Sequence, residues 1–309
     1  MKPYQNLIVL FLTCLLFSTC RKSEPKKQTE KPVQKASKNT IVNSTEKIIS
    51  FNKWRENPKP LVSAHRGGPY KGYPENAIET FANIAKHTPV VIECDVSMTK
   101  DSILVLMHDN KLNRTTTGEG LVKESTYKEL QELKLVDNLG NTTTFAIPKL
   151  DEVLAWGKEK VLFTLDVKRG VPFNKVLDVI EDYDAVDYAA IITYRIEDAI
   201  LVHNLNKEVV ISVSAGSKEA LEQIEKAKLP KNKLLGFVGV RQPNQSHYEK
   251  LKQAGIKTIL GTLGNLDKSA QAKGNDDIYL TYIKNGANIL ATDRPLEVAR
   301  VLKKIKDKS

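Results

Sequence analysis

From about residue 48 onward, short apolar runs rich in β-branched residues alternate with stretches that return an apolar side chain every three or four positions. The first pattern is that of buried strands and the second that of amphipathic helices. Nine runs read as strands: 61–65, 90–96, 103–108, 161–168, 190–194, 209–214, 234–240, 258–263 and 287–293. Helical patterns lie between most of them, as in 75–86, 150–158, 218–228 and 296–305. Strands separated by one helix pair in parallel through right-handed crossovers. About 260 residues of this alternation match a (β/α)8 barrel, which typically takes ~250. A doubly wound open sheet would carry a glycine-rich loop after its first strand, and none with nucleotide spacing is present.

Nine runs compete for eight staves, and 234–240 fits least well, reading as a peripheral strand. The link from Val96 to Ile103 is only six residues long. That is too short for a crossover helix, and Thr99-Lys100-Asp101-Ser102 has the composition of a turn. A hairpin-like excursion is expected there. With its turn centred between Asp101 and Ser102, His108 falls opposite Asp95 on one face. A bulge would displace that pairing by one residue.

The first 47 residues follow neither pattern. Lys2 precedes an apolar run from Leu7 to Phe17. Eleven residues fall short of the ~20 that a spanning helix needs, and the length suits the apolar core of a signal peptide. The run ends in Phe17-Ser18-Thr19-Cys20, which resembles the lipobox of bacterial lipoproteins. That resemblance implies a cleaved signal peptide over 1–19, an acylated Cys20, and a chain anchored to a membrane of the bacterial cell envelope. Residues 20–47 are dominated by Lys, Pro, Ser, Thr and Gln and read as a disordered tether, with the folded domain over 48–309. Net charge is +10, but residues 1–50 carry nine Lys/Arg against three Glu, leaving +4 for the rest. This excludes a strongly basic nucleic-acid binder. Composition, 41% apolar and 27% charged, is that of a globular domain. Of Cys14, Cys20 and Cys94, only Cys94 would remain a free thiol, so no internal disulfide is expected and no cysteine pair has metal spacing.

Barrel strands are buried on both faces, so polar interruptions carry information. The first strand ends in His65-Arg66-Gly67-Gly68, the second contains Glu93 and Asp95, the third ends in His108-Asp109, and the fourth contains Asp166 and Lys168. All fall near C-terminal strand ends, where barrel enzymes place their chemistry. Glu93 and Asp95 are two apart and face the same way, with Cys94 and Val96 turned toward the helices. Two neighbouring carboxylates stay ionised only with positive charge between them. A divalent ion suits, and hard oxygen ligands favour Mg²⁺ or Ca²⁺, with Asp166 as third ligand. His65 and His108 would form an acid–base pair, one neutral and one protonated. Arg66 and Lys168 would hold a phosphate, and Gly67 and Gly68 would permit close backbone approach. The sum describes a site that cleaves a phosphate ester.

His65-Arg66-Gly67, Pro74-Glu75-Asn76, Glu93-x-Asp95, Thr99-Lys100-Asp101, His108-Asp109, Arg114-Thr115-Thr116 with Gly118 and Gly120, Ile147-Pro148-x-Leu150, Asp166-x-Lys168 and Thr292-Asp293-Arg294-Pro295 occur in an order that resembles the glycerophosphodiester phosphodiesterases. The resemblance spans roughly residues 60–300. It implies a TIM barrel of the phospholipase-C-like phosphodiesterase type, with an insertion over 110–148 after the third strand. It also implies metal-dependent hydrolysis of a glycerophosphodiester to glycerol 3-phosphate and an alcohol. His65 and His108 match the acid–base pair, Glu93, Asp95 and Asp166 the metal ligands, Arg66 and Lys168 the phosphate contacts, and Glu75 a carboxylate lining the site. Asp166 stands where the family usually has Glu. Gly261-Thr262-Leu263-Gly264 stands where it often has Trp-Thr-Val-Asn, which removes an apolar wall on the head-group side. Two other readings keep the barrel: a lyase acting on phosphoinositol or sphingolipid head groups, and a catalytically weak surface binding protein.

Overall fold

The structure, a computed structural model, describes residues 50–306. The expected signal segment, Cys20 and the tether lie outside the described residues. Nine strands form in chain order: β1 (Leu61–Ala64), β2 (Val90–Met98), β3 (Leu104–Leu106), β4 (Leu162–Val167), β5 (Ala189–Thr193), β6 (Val210–Ser214), β7 (Leu234–Phe237), β8 (Lys257–Gly261) and β9 (Ile289–Thr292). Eight are parallel neighbours in the order β1-β9-β8-β7-β6-β5-β4-β2, and β1 pairs with β2 to close the ring. The fold is a (β/α)8 TIM barrel. Among the described residues no helix is long and apolar enough to cross a membrane.

The ninth strand is β3, not the run at 234–240. Leu234 and Leu235 are fully buried staves of the barrel, hydrogen-bonded between β6 and β8. Gly236 made this run look weak in sequence, yet glycine fits the place: a Cβ there would lie 3.0 Å from both Ala215 and Ile256. β3 instead pairs antiparallel with the top of β2, Val96 against Leu106 and Met98 against Leu104.

The hairpin register is displaced by one from the symmetric expectation. Thr99 N donates to Ile103 O, and Ser102 adopts a left-handed conformation (φ +64°). A three-residue loop with a left-handed last residue carries a bulge, so Asp95 lies opposite Met107, whose N donates to Asp95 O. β3 ends at Leu106, and beyond it the chain turns His108 into the barrel mouth.

Helices form where the apolar periodicity placed them: Ile78–Ala85, Leu150–Gly157, Lys218–Lys226 and Pro295–Lys306. Ser217 caps the third of these by accepting from Ala220 N at 3.2 Å. Leu221 and Ile224 from that helix, and Phe81 and Ile84 from the first, bury against the outside of the barrel. The insertion after β3 packs its own small core, in which Leu112, Val122, Leu130, Leu135 and Ile147 surround Val105 and Met107. It is therefore a rigid shoulder on the β2–β3 side of the mouth.

Gly67 shows how tightly the first loop is set. Its φ is +83°, and a Cβ there would lie 2.1 Å from the Phe81 ring. Gly67→Ala is expected to cost about 3 kcal/mol of stability, from overpacking and left-handed strain together. Thermal or urea unfolding measures this, and an unchanged midpoint would show that the ring yields freely.

Candidate active site

The strand ends gather the polar residues around one cavity of ≈ 250 Å³ at the C-terminal mouth of the barrel. His65 follows β1, Glu93 and Asp95 lie on β2, His108 follows β3, and Asp166 lies on β4; all five line the cavity. The floor is made of small hydroxyl residues, Ser63, Thr164 and Ser212. Their size leaves room where larger apolar side chains would fill the barrel.

One carboxylate oxygen each from Glu93, Asp95 and Asp166 lies within 4.8 Å of the other two. Burial first, and the charge of Asp95 second, push the Glu93 carboxyl up to about 8. Lys168 Nζ reaches Asp95 at 2.6 Å and Asp166 at 2.7 Å. Burial disfavours that ammonium, but the two carboxylates outweigh burial and bind its proton more firmly than usual. Asn76 grips Asp95 from behind, donating from Nδ2 to Oδ2 at 2.8 Å and accepting from Asp95 N at 2.9 Å. A trio of carboxylates with an uncompensated acidic member fits a hard divalent cation.

Each histidine is held by a carboxylate on Nδ1: His65 by Asp293 at 2.7 Å and His108 by Asp109 at 2.7 Å. Their other ring nitrogens differ. His108 Nε2 lies 2.7 Å from Arg66 Nη2. A guanidinium only donates, so in this hydrogen bond Nε2 accepts, and Nδ1 donates to Asp109. For His65, burial opposes the charged ring. The Asp293 hydrogen bond and the charges of Glu93 and Asp293 outweigh burial and raise its pKa. The hydrogen bond from His65 holds the Asp293 carboxyl low in turn. Asp293 is itself set by buried Asp267, which accepts from Asp293 N, Thr292 Oγ1 and Tyr279 Oη.

Arg66 sits in a left-handed conformation (φ +52°), which aims its N at Glu93 Oε2, 2.7 Å away. Glu75 lies between two guanidiniums, accepting from Arg66 Nη1 at 3.2 Å and from Arg114 Nη1 and Nη2 at 2.9 and 2.8 Å. Arg114 continues to Asp109 at 2.7 Å. That hydrogen bond, and then the one from His108, hold Asp109 well below the usual carboxylate range. Glu75 thus acts on the cavity through Arg66 and Arg114. Asn76, Asp109, Asp267 and Asp293 were not assigned as site residues from sequence. Asn76, Asp109 and Asp293 carry only the signal of short motifs such as Pro74-Glu75-Asn76 and Thr292-Asp293-Arg294, and Asp267 carries none.

The opposite side of the mouth is apolar, formed by Ile192, Phe237, Ile259 and Leu263, with Tyr194 at the rim. An apolar wall is therefore present despite Gly261 in place of a tryptophan. It comes largely from the ends of β7 and β8. Burial, and then the charge of Asp166, raise the Tyr194 hydroxyl above its ordinary pKa.

The glycerophosphoryl diester phosphodiesterase family model matches residues 65–273. The chain belongs to this family. A crystal structure of a glycerophosphoryl diester phosphodiesterase from Parabacteroides distasonis is 32% identical, with a TM-score of 0.77 over 84% of this chain and 93% of that one. A glycerophosphodiester phosphodiesterase of Bacillus altitudinis is 33% identical over 162 residues, 49% of this chain and 65% of the relative. A phosphodiesterase of Oleispira antarctica, solved with the product sn-glycerol-3-phosphate, shares the fold at a TM-score of 0.64 and 19% identity, over 82% of this chain and 99% of that one. The matched stretch spans about half to two thirds of the length of the first curated relatives, 65% and 54%.

Proposed function

We propose that this protein hydrolyses glycerophosphodiesters to glycerol 3-phosphate and an alcohol, with a bound divalent ion, Mg²⁺ or Ca²⁺. The observation that carries the reading is the pairing of two carboxylate-backed imidazoles with three convergent carboxylates in one cavity. Family membership and the product held by the Oleispira antarctica relative support the same substrate class.

Glu93, Asp95 and Asp166 would hold the ion, which supplies Lewis-acid neutralisation of phosphoryl oxygen charge. The histidines divide the proton work. His108, whose Nε2 exchanges its hydrogen bond from Arg66 for one from the nucleophile, takes the proton of the attacking oxygen: water attacking directly, or the neighbouring glycerol hydroxyl in a first step whose cyclic phosphate a water then opens. His65, whose pKa is raised, gives a proton to the leaving alcohol oxygen. Arg66 and Lys168 bring fixed positive charge to the same place and would orient the phosphate. Release of glycerol 3-phosphate from glycerophosphocholine, with and without EDTA, tests the reading. A stable cyclic product would favour the lyase reading, and inactivity on every phosphodiester would favour the binding protein.

Asp293→Asn separates the two imidazoles. Asp293 raises the pKa of His65, so its loss lowers that pKa. The acid then loses its proton at lower pH. The alkaline limb of the rate profile is expected to move down by about one unit or more, with the acidic limb in place. Movement of the acidic limb instead would reverse the assignment.

We also propose that Cys20 carries acyl chains that hold the enzyme to the bacterial cell envelope. The support is the Phe17-Ser18-Thr19-Cys20 sequence after its apolar run. Cys20→Ala is expected to move the protein from the membrane fraction to the soluble one. Unchanged fractionation would remove the anchor from this account.

A further inference from the structure

A second cavity of ≈ 320 Å³ lies between the insertion and the loop after β4. Its polar lining is Ser97, Asn110, Lys123, Lys168 and Arg169, and no Asp or Glu lines it. Among the described residues, the Lys123 and Arg169 side chains form no hydrogen bond or ion pair. The cations of the catalytic mouth differ: Arg66, Arg114 and Lys168 are each paired with carboxylates. Two positive charges therefore face this cavity uncompensated.

Lys168 links the two cavities. It lines the second one, while its ammonium lies 2.6 Å from Asp95 and 2.7 Å from Asp166, which line the first. Its side chain thus contacts residues of both cavities. The ammonium would also screen an anion in the second cavity from the carboxylates in the first.

We infer that this second cavity is a phosphomonoester subsite, which takes a phosphate carried by the alcohol half of the substrate. This rests on the phosphodiesterase reading of the mouth. Two unpaired cations match the roughly −1.5 to −2 charge of a phosphomonoester at neutral pH better than the single charge of a carboxylate. A guanidinium fork beside a mobile ammonium suits its three oxygens. The subsite is built by the insertion and the β4 loop, apart from the proton-transfer groups, so it sets preference without performing chemistry.

The test compares glycerophosphoinositol 4-phosphate with glycerophosphocholine in the wild type and in the double variant Lys123→Ala/Arg169→Ala. Both side chains are exposed, so the variant is expected to fold as the wild type does, and thermal unfolding checks this. The KM for the phosphorylated substrate should rise about tenfold or more, as expected for loss of charge-assisted hydrogen bonds, while that for glycerophosphocholine stays within about twofold. Equal KM changes on both substrates, or none, overturn the subsite. A rise confined to glycerophosphoserine overturns the phosphate in favour of a carboxylate. Calorimetric binding of inositol 4-phosphate alone reads the cavity independently of turnover. Weaker binding by the double variant supports the subsite even if neither diester is hydrolysed, a result that would count against the phosphodiesterase reading alone. Undiminished binding overturns it.

Discussion

His65→Ala and His108→Ala are each expected to lower turnover of glycerophosphocholine by ~10²-fold or more, the range typical of a positioned proton-transfer group. Neither change should unfold the barrel. Both side chains sit at the mouth, partly exposed, with carboxylate partners that reach solvent. The two variants should differ with a substrate whose leaving group needs no proton. A nitrophenyl diester departs as a stable anion, so His65→Ala should recover most of its rate while His108→Ala stays slow. The asymmetry follows from the Arg66 guanidinium, which makes His108 Nε2 an acceptor, and from Asp293, which helps raise the pKa of His65. Near-wild-type rates in both variants would refute the assignment. Recovery in the wrong variant would exchange the two roles.

Chelation is expected to abolish turnover, and Mg²⁺ or Ca²⁺ to restore it. Asp95→Asn should cost about 10³-fold even with excess ion, since several kcal/mol of transition-state stabilisation depend on the ligand set. The pH dependence of binding gives an independent check. In the metal-free site the Glu93 carboxyl is pushed up to about 8, so the ion must expel a proton to bind near neutrality. Affinity should then fall about tenfold for each pH unit below that value. Calorimetry in two buffers counts the proton released. Ion binding should also stabilise the folded state by about 2.7 kcal/mol at a hundredfold excess over Kd, and so raise the unfolding midpoint. No proton release, or no change of midpoint, would place the ion elsewhere.

Legibility differed by element. A buried strand tolerates few charges, so Glu93 and Asp95 within β2, Asp166 near the end of β4, and His65 and His108 just past strand ends stand out one by one. Their convergence was legible only through the barrel that the alternation implied. β7 was the hardest stave to read, since Gly236 dilutes the apolar signal and the run is short. Its last residue, Phe237, lines the cavity opposite the carboxylates, and the same weak signal hides it. The hairpin register was legible to within one residue. Whether Ser102 turns left-handed depends on how the loop closes against its surroundings, and composition is silent on that.

The sequence by itself determined the strand–helix alternation, the hairpin between the second and third strands, and the set of residues able to carry acid–base and metal chemistry. Those follow from short-range rules of side-chain period, turn composition and charge. Tertiary structure alone decided who orients whom. Asp293 reaches His65 across 228 residues of chain and Arg114 reaches Glu75 across 39, contacts created when the barrel closes β9 against β1 and the insertion folds over the mouth. The different surroundings of the two imidazoles depend on those long-range partners, so the division of labour proposed for them rests on the folded chain.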